Sequence, residues 1–212
     1  MTLILASKSE ARAMLLRAAG YAFTQFDSRV VESPPQANIR LTDYVAALAS
    51  KKALAVSRRH PDAVVIGADT ALAIDRQIIG KADDAEQAVN ILRKLAGRTH
   101  RLSTGVCVIA PAGRAKTRIR VGADTARVTL RAWSENRIRQ YVQAVKPFAC
   151  AGAYALQADG SAIIERIDGD PSTVIGLPIG LVERMLSELK GENVVKQAKG
   201  RRPSCRVPKS AF

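Results

Sequence analysis

A chain of 212 residues, 47% hydrophobic and 25% charged, is long enough to bury a core without disulfide or metal staples and too apolar to be disordered throughout. Three cysteines, Cys107, Cys150 and Cys205, lie far apart with no Cys-x-x-Cys pair, which argues against a zinc site and against a disulfide framework. The formal net charge of +14 favours anionic partners, and by itself it does not rank nucleic acid, nucleotides and acidic membrane surfaces.

The apolar run Leu3-Ile4-Leu5-Ala6 is too short for the core of a signal peptide, and no later segment approaches about 20 uninterrupted apolar residues. The expectation is a cytoplasmic protein without a membrane partner. The run reads as a short buried strand. Ser7-Lys8-Ser9 follows, then a helix through Met14, Leu15 and Ala18, with Ser9 as N-cap and Gly20 as stop. A strand turning directly into a helix leaves unpaired amides at the turn, where the helix dipole also favours an anion. Ser7, Lys8, Ser9 and Arg12 add hydroxyls and cations there, a chemistry suited to phosphate oxygens, although Ser-rich caps beside basic residues are common.

Residues 21–40 read as irregular, with Ser33-Pro34-Pro35 shaping a loop that holds Glu32, by default a solvated acid. Thr42 is the expected cap of a helix through Val45, Leu48 and Val56, on which Lys51-Lys52 would by default form a solvated pair. The stretch Val64 to Ile74 is apolar apart from Asp69 and Thr70 at its centre, and its β-branched residues mark a strand buried on both faces. An ionised Asp there needs a cation, a metal or several donors. Either it caps neighbouring amides or it does chemistry, and this segment alone leaves both open.

Asp75-Arg76 makes a hairpin turn that brings Lys81 back near Asp69. Gly80-Lys81 is not a P-loop, since Asp75 and Ala82 occupy positions that need Gly and Ser or Thr. Asp83-x-x-Glu86 has the capping pattern of a helix ending at Gly97. A long two-stranded section runs from His100 to Ala110 and from about Lys116 to Leu130 around a Pro111-Ala112-Gly113-Arg114 turn. Gly122 to Ala126 repeats Gly67 to Ala71 letter for letter. The flanks differ, so no duplication is inferred, and Asp124 is expected to pair with Arg118, Arg120 or Arg127.

Ser134-Glu135 opens a helix that stops at Lys146-Pro147, with Trp133 as a packing anchor. The small residues Ala149 to Ala153, followed by Tyr154 and Gln157, suggest close backbone approach. Ser161 to Ile167 reads as a strand, Ser172 to Leu177 as a short apolar segment, and Pro178 as the start of a last helix to Gly191. Residues 1–190 then form a single domain. Residues 191–212 are a basic tail, expected to be disordered, that holds +5 of the charge and leaves +9 on the body.

Taken together, Leu5-Ala6-Ser7-Lys8-Ser9-Glu10-Ala11-Arg12, Gly67-Ala68-Asp69-Thr70, Gly80-Lys81, Ala151-Gly152-Ala153-Tyr154 and Val174-Ile175-Gly176-Leu177-Pro178 resemble, in order, the motifs of the Maf (septum formation) nucleoside triphosphate pyrophosphatases. The resemblance covers about residues 3 to 190. It implies an α/β fold of the Maf and ITPase-like kind, with a long twisted mixed sheet flanked by helices and two lobes around a cleft. It also implies hydrolysis of a nucleoside triphosphate to the monophosphate and pyrophosphate with a divalent cation, Mg2+ or Mn2+.

By the same resemblance Asp69 is the catalytic base or a metal-linked acid, with Glu32 also on the metal side. Ser7, Ser9, Arg12, Lys52 and Lys81 contact phosphate. Three positions tied to base choice fall on Ala11, Thr70 and Gln157. Thr70 and Gln157 are similar to the branch acting on dTTP and UTP, whereas the branch acting on 7-methyl-GTP carries Gln and Glu there. Ala11 departs from both, and Glu10 replaces a Pro, bringing a negative charge toward the phosphate site unless it turns outward. The substrate expected is thus dTTP- or UTP-like, with modified nucleotides also open. The resemblance leans toward a homodimer, and no specific nucleic-acid partner is expected. The alternative is a catalytically weakened nucleotide- or nucleic-acid-binding module, against which stands an aromatic content of only 4%.

Overall fold

The structure, a computed structural model, describes residues 1–112, 117–148, 150–156 and 158–190. Gln157 and the tail from 191 to 212 lie outside them. Among the described residues seven strands form one mixed sheet: β1 (Leu3–Leu5), β2 (Thr24–Gln25), β3 (Val64–Ile74), β4 (Gln77–Ile79), β5 (Thr99–Pro111), β6 (Thr117–Leu130) and β7 (Ile164–Asp168). Their order is β2-β1-β3-β5-β6-β7, with β4 paired to β3 beside β1. β1 runs parallel to β2 and β3, and the other pairs are antiparallel. Among the described residues six α-helices flank the sheet: α1 (Glu10–Ala18), α2 (Leu41–Ser57), α3 (Ala85–Leu95), α4 (Glu135–Val145), α5 (Pro171–Ile175) and α6 (Ile179–Lys190). None is long and apolar enough to cross a membrane.

Most of these elements follow from local chemistry. Ser9 caps α1 by accepting from the Arg12 amide, and Gly20 follows it with φ +82°. Asp75 and Arg76 both take positive φ, as a two-residue hairpin turn between β3 and β4 requires. Other positions differ from expectation. α2 begins at Leu41 after Arg40, whose guanidinium holds Asp43, and Thr42 is not its cap. α3 is capped one residue later than the pattern suggests, by Asp84 on the Gln87 amide. The segment from Ser161 is a 3-10 turn until β7 begins, and Ser172 to Leu177 is mostly the short helix α5, started by Pro171.

β3 is the element shared by all the cores. On one face it packs with α1 and α6 at one end and with α3 and α4 at the other; on the opposite face it packs against α2. That second contact is close enough to exclude side chains. A Cβ at Gly67 would stand 2.3 Å from the Ala49 carbonyl oxygen, and one at Gly105 would stand 2.3 Å from that of Val45. These two glycines let α2 lie directly on the sheet.

The edge of β3 away from β5 is only partly covered. β1 pairs with Val64–Ile66 and β4 with Leu72–Ile74, while Gly67 to Ala71 are paired to β5 alone. The Ile66 carbonyl accepts from the Ala6 amide, so by strand alternation the backbone groups of Ala68 and Thr70 point into this gap. Alternation also sends the Asp69 and Thr70 side chains to opposite faces, and the gap lets both reach one opening.

His100 on β5 is 2% exposed, with Nε2 2.7 Å from the Tyr154 hydroxyl and Nδ1 without a partner among the described residues. Burial lowers its pKa to about 4. The unfolded chain takes up this proton near pH 6.5, and the folded chain resists until about 4, so stability falls as pH drops across that window. The expected loss is about 3 kcal/mol at full protonation. Urea unfolding of wild type and His100→Gln between pH 7 and 4 checks it: the difference in slope belongs to His100, and equal slopes would assign the loss elsewhere.

Candidate active site

The gap in the β3 edge opens into a cleft of about 560 Å³ lined by Ser7, Ser9, Ala11, Arg12, Glu32, Lys52, Asp69, Thr70 and Lys81, together with Cys150 and Tyr154. Eight of the sequence candidates other than Ala11 are thus gathered from the turn between β1 and α1, α1, the loop before α2, α2, β3 and the segment after β4. Ala11 lies at the same wall. Gln157 is outside the described residues.

Asp69, 3% exposed, meets Lys52 of α2 with Oδ1 2.5 Å from Nζ. The same ammonium is 2.8 Å from Glu32 Oε1, and Lys81 reaches both Glu32 oxygens at 2.9 and 2.8 Å. Lys81 therefore returns to Glu32, and among the described residues it is joined to Asp69 through Glu32 and then Lys52. The default reading of Lys51-Lys52 as a solvated pair fails for one member: Lys51 is exposed, and Lys52 is 8% exposed. The close packing of α2 at Gly67 brings this lysine over the strand.

The two carboxylates differ electrostatically. Burial raises the pKa of Asp69, and the Lys52 charge only partly offsets it. For Glu32 partial burial acts upward, but hydrogen bonds from Lys52 and Lys81 prevail and hold it at about 2. Such divergence suits two roles, one group able to exchange a proton and one permanently charged.

At the other wall, Arg12 is fixed by three neutral acceptors: the Gly176 carbonyl (2.8 Å from Nε), Ser7 Oγ (3.1 Å from Nη1) and Thr70 Oγ1 (3.1 Å from Nη2). Desolvation lowers its pKa, with Asp69 and Glu32 acting the other way. Among the described residues no carboxylate touches it, and two of its five N–H groups remain for a ligand. Ser7 Oγ accepts from the Ser9 amide as well as from Arg12, and Ser9 Oγ accepts from the Arg12 amide. Among the described residues neither serine hydroxyl has an acceptor, so both keep their hydrogens to donate. Glu10 turns outward to Arg17, at 3.7 Å, and so directs its charge along α1. The lining as a whole balances in charge, with Lys8, Arg12, Lys52 and Lys81 against Glu10, Asp27, Glu32 and Asp69, so the place it offers an anion is local, at the Arg12 guanidinium that is held by neutral acceptors.

Three residues that were not among the site candidates read from the sequence lie behind this wall. Thr104 on β5 sits 2.9 Å from Thr70 and 2.7 Å from the Thr173 carbonyl, and the Thr173 hydroxyl donates to Asp124. Asp124 thus has Thr173 as its partner, while Arg118, Arg120 and Arg127 turn to Leu189, Glu188 and Asp168. The third is Gly176, whose carbonyl holds Arg12. Only the pairing register aligns Thr70, Thr104 and Asp124 across three strands, and no local pattern announces it.

Among the described residues, no three His, Cys, Asp or Glu side chains gather closely enough to hold a metal ion alone. Asp69 and Glu32 do offer hard carboxylate oxygens on one ammonium, and Asp69 Oδ2 accepts no hydrogen bond from the described residues. That donor set fits a hard divalent ion that takes its remaining ligands from water and a bound polyphosphate.

The sequence profile of the family described as Maf-like protein matches residues 2–189. A protein of Aquifex aeolicus named dTTP/UTP pyrophosphatase is 41% identical over 189 residues, covering 89% of this chain and 96% of its own length. One of the same name from Bacillus velezensis is 39% identical over 186 residues, covering 88% and 95%. Among solved structures, the Staphylococcus aureus Ham1 protein superposes with a TM-score of 0.46 at 12% identity, over 89% of this chain and 99% of that one.

Proposed function

This chain belongs to the Maf-like protein family, and from that premise we propose that residues 1–190 form one catalytic domain that hydrolyses dTTP or UTP to the monophosphate and pyrophosphate. The observation that carries the assignment is the pairing of Asp69 and Glu32 through the Lys52 ammonium, opposite an Arg12 that no carboxylate among the described residues touches.

Ser7, Ser9 and Arg12 bind phosphate oxygens through the hydroxyl and guanidinium hydrogens that the fold leaves free. Lys81 and the third N–H of Lys52 add charge from the other side. Asp69, on a buried strand and with a raised pKa, takes the proton of the water that attacks the α-phosphorus. Glu32 and Asp69 would hold Mg2+ or Mn2+, which when bound neutralises phosphate charge and makes that phosphorus more electrophilic. Thr70 meets the base, Ala11 leaves its part of the wall open, and Gln157 is assigned to the base as well.

Pyrophosphate release from a panel of dTTP, UTP, CTP, dCTP and 7-methyl-GTP tests the assignment. Rapid release from dTTP and UTP with Mg2+, abolished by EDTA and restored by added Mg2+, is expected. Folded protein that releases pyrophosphate from none of them would overturn the function; activity that survives EDTA would overturn the metal.

A further inference from the structure

The hydroxyls behind Thr70 can be oriented by elimination. A backbone carbonyl only accepts, so at 2.7 Å from the Thr173 oxygen Thr104 must donate its single hydroxyl hydrogen there. Its contact with Thr70 at 2.9 Å then has one possible direction: Thr70 donates and Thr104 accepts. Thr70 Oγ1 also accepts from Arg12 Nη2. Its hydrogen and one lone pair are thereby committed to the protein, and what remains for the cleft is one lone pair. Thr104 and Thr173 are both fully buried, so no solvent molecule competes for this arrangement, and the bond from Thr173 to Asp124 fixes the residue that supplies the carbonyl.

We propose that Thr104, which does not line the cleft, is a positioning residue that sets substrate choice: it makes Thr70 an obligatory hydrogen-bond acceptor, so a base that turns ring N3 toward Thr70 must present an N–H at that position. Uracil and thymine carry a donor at ring N3, and cytosine carries an acceptor there. This rests on the pyrophosphatase reading and on Thr70 facing the base, and adds the reason for the choice. The second copy of the Gly-Ala-Asp-Thr-Ala sequence is accounted for in the same way: Asp124 anchors the carbonyl from which the chain of hydroxyls is oriented.

Removing the Thr104 hydroxyl with Thr104→Val frees the Thr70 hydrogen to turn toward the cleft, where it can donate to cytosine. The ratio of kcat/KM for UTP over CTP should fall by roughly tenfold or more in Thr104→Val and stay at the wild-type value in Thr104→Ser, which retains the hydroxyl. A folded Thr104→Val enzyme with an unchanged ratio would overturn the proposal, since a merely structural role lowers both substrates together. Should Thr104→Val not fold, wild-type enzyme decides: N3-methyl-UTP, which lacks the donor, should lose at least about a hundredfold in kcat/KM relative to UTP, and a loss under threefold overturns the proposal. Wild-type enzyme inactive on every triphosphate would instead remove the pyrophosphatase reading, and the proposal with it.

Discussion

Asp69→Asn is expected to lower kcat by at least about a thousandfold, some 4 kcal/mol of transition-state stabilisation, while leaving the protein folded. Asn has the same shape, its carbonyl oxygen still accepts from Lys52, and Lys52 keeps its bond to Glu32 at 2.8 Å. The substitution also removes a carboxylate that burial disfavours, so the urea midpoint should not fall. What it takes away is the capacity to accept a proton. Single-turnover rates on dTTP together with equilibrium unfolding check both halves. A variant turning over at the wild-type rate would make Asp69 a structural partner of Lys52 and end its assignment as the base.

Lys52→Met is expected to damage both stability and rate. It strands Asp69 at 3% exposure without its cation, and breaking a buried pair from one side costs about 3–5 kcal/mol before the carboxyl adapts by protonation. In this variant the Asp69 pKa rises further, so the penalty is small at low pH and grows as pH rises through that value. At pH 8 we expect a loss of about 2–4 kcal/mol and a fall in kcat of about a hundredfold. The double variant Asp69→Asn with Lys52→Met removes both charges and should be more stable than Lys52→Met alone, though no more active. A double variant no more stable than the single one would mean that Lys52 acts through packing and not through its charge.

How far this site could be read from the chain depended on how local each cause is. The Ser9 cap, the hairpin at Asp75-Arg76 and the buried run around Asp69 follow from neighbours within a few residues, and the sequence displays them openly. The gathering of Ser7, Arg12, Glu32, Lys52, Asp69 and Lys81 was legible only through five motifs taken together, since no spacing links a loop glutamate to a helix lysine 20 residues later. Lys52 shows this most clearly. As half of a lysine pair on a helix it reads as solvated, and what buries it is the close approach of α2 to Gly67, a contact between distant segments. Asp124 misled for a related reason: its flanking arginines are adjacent in sequence, but its partner Thr173 is 49 residues away and comes from α5. The register that brings Thr104 between Thr70 and Asp124 has no signature in composition or periodicity.

The uncovered stretch of β3 from Gly67 to Ala71 ties two properties together that many enzymes keep on separate segments. Consecutive side chains on a strand diverge, yet here the residue proposed to do the chemistry and the residue proposed to judge the base both enter one chamber from opposite sides. Their separation is a single peptide bond. An insertion or deletion upstream that moved one would exchange their sides, so reactivity and selectivity are inherited as a unit. Drift in substrate range is therefore confined to substitutions that preserve the reading frame of the strand: at Thr70 itself, or at partners such as Thr104 that alter what its oxygen can say.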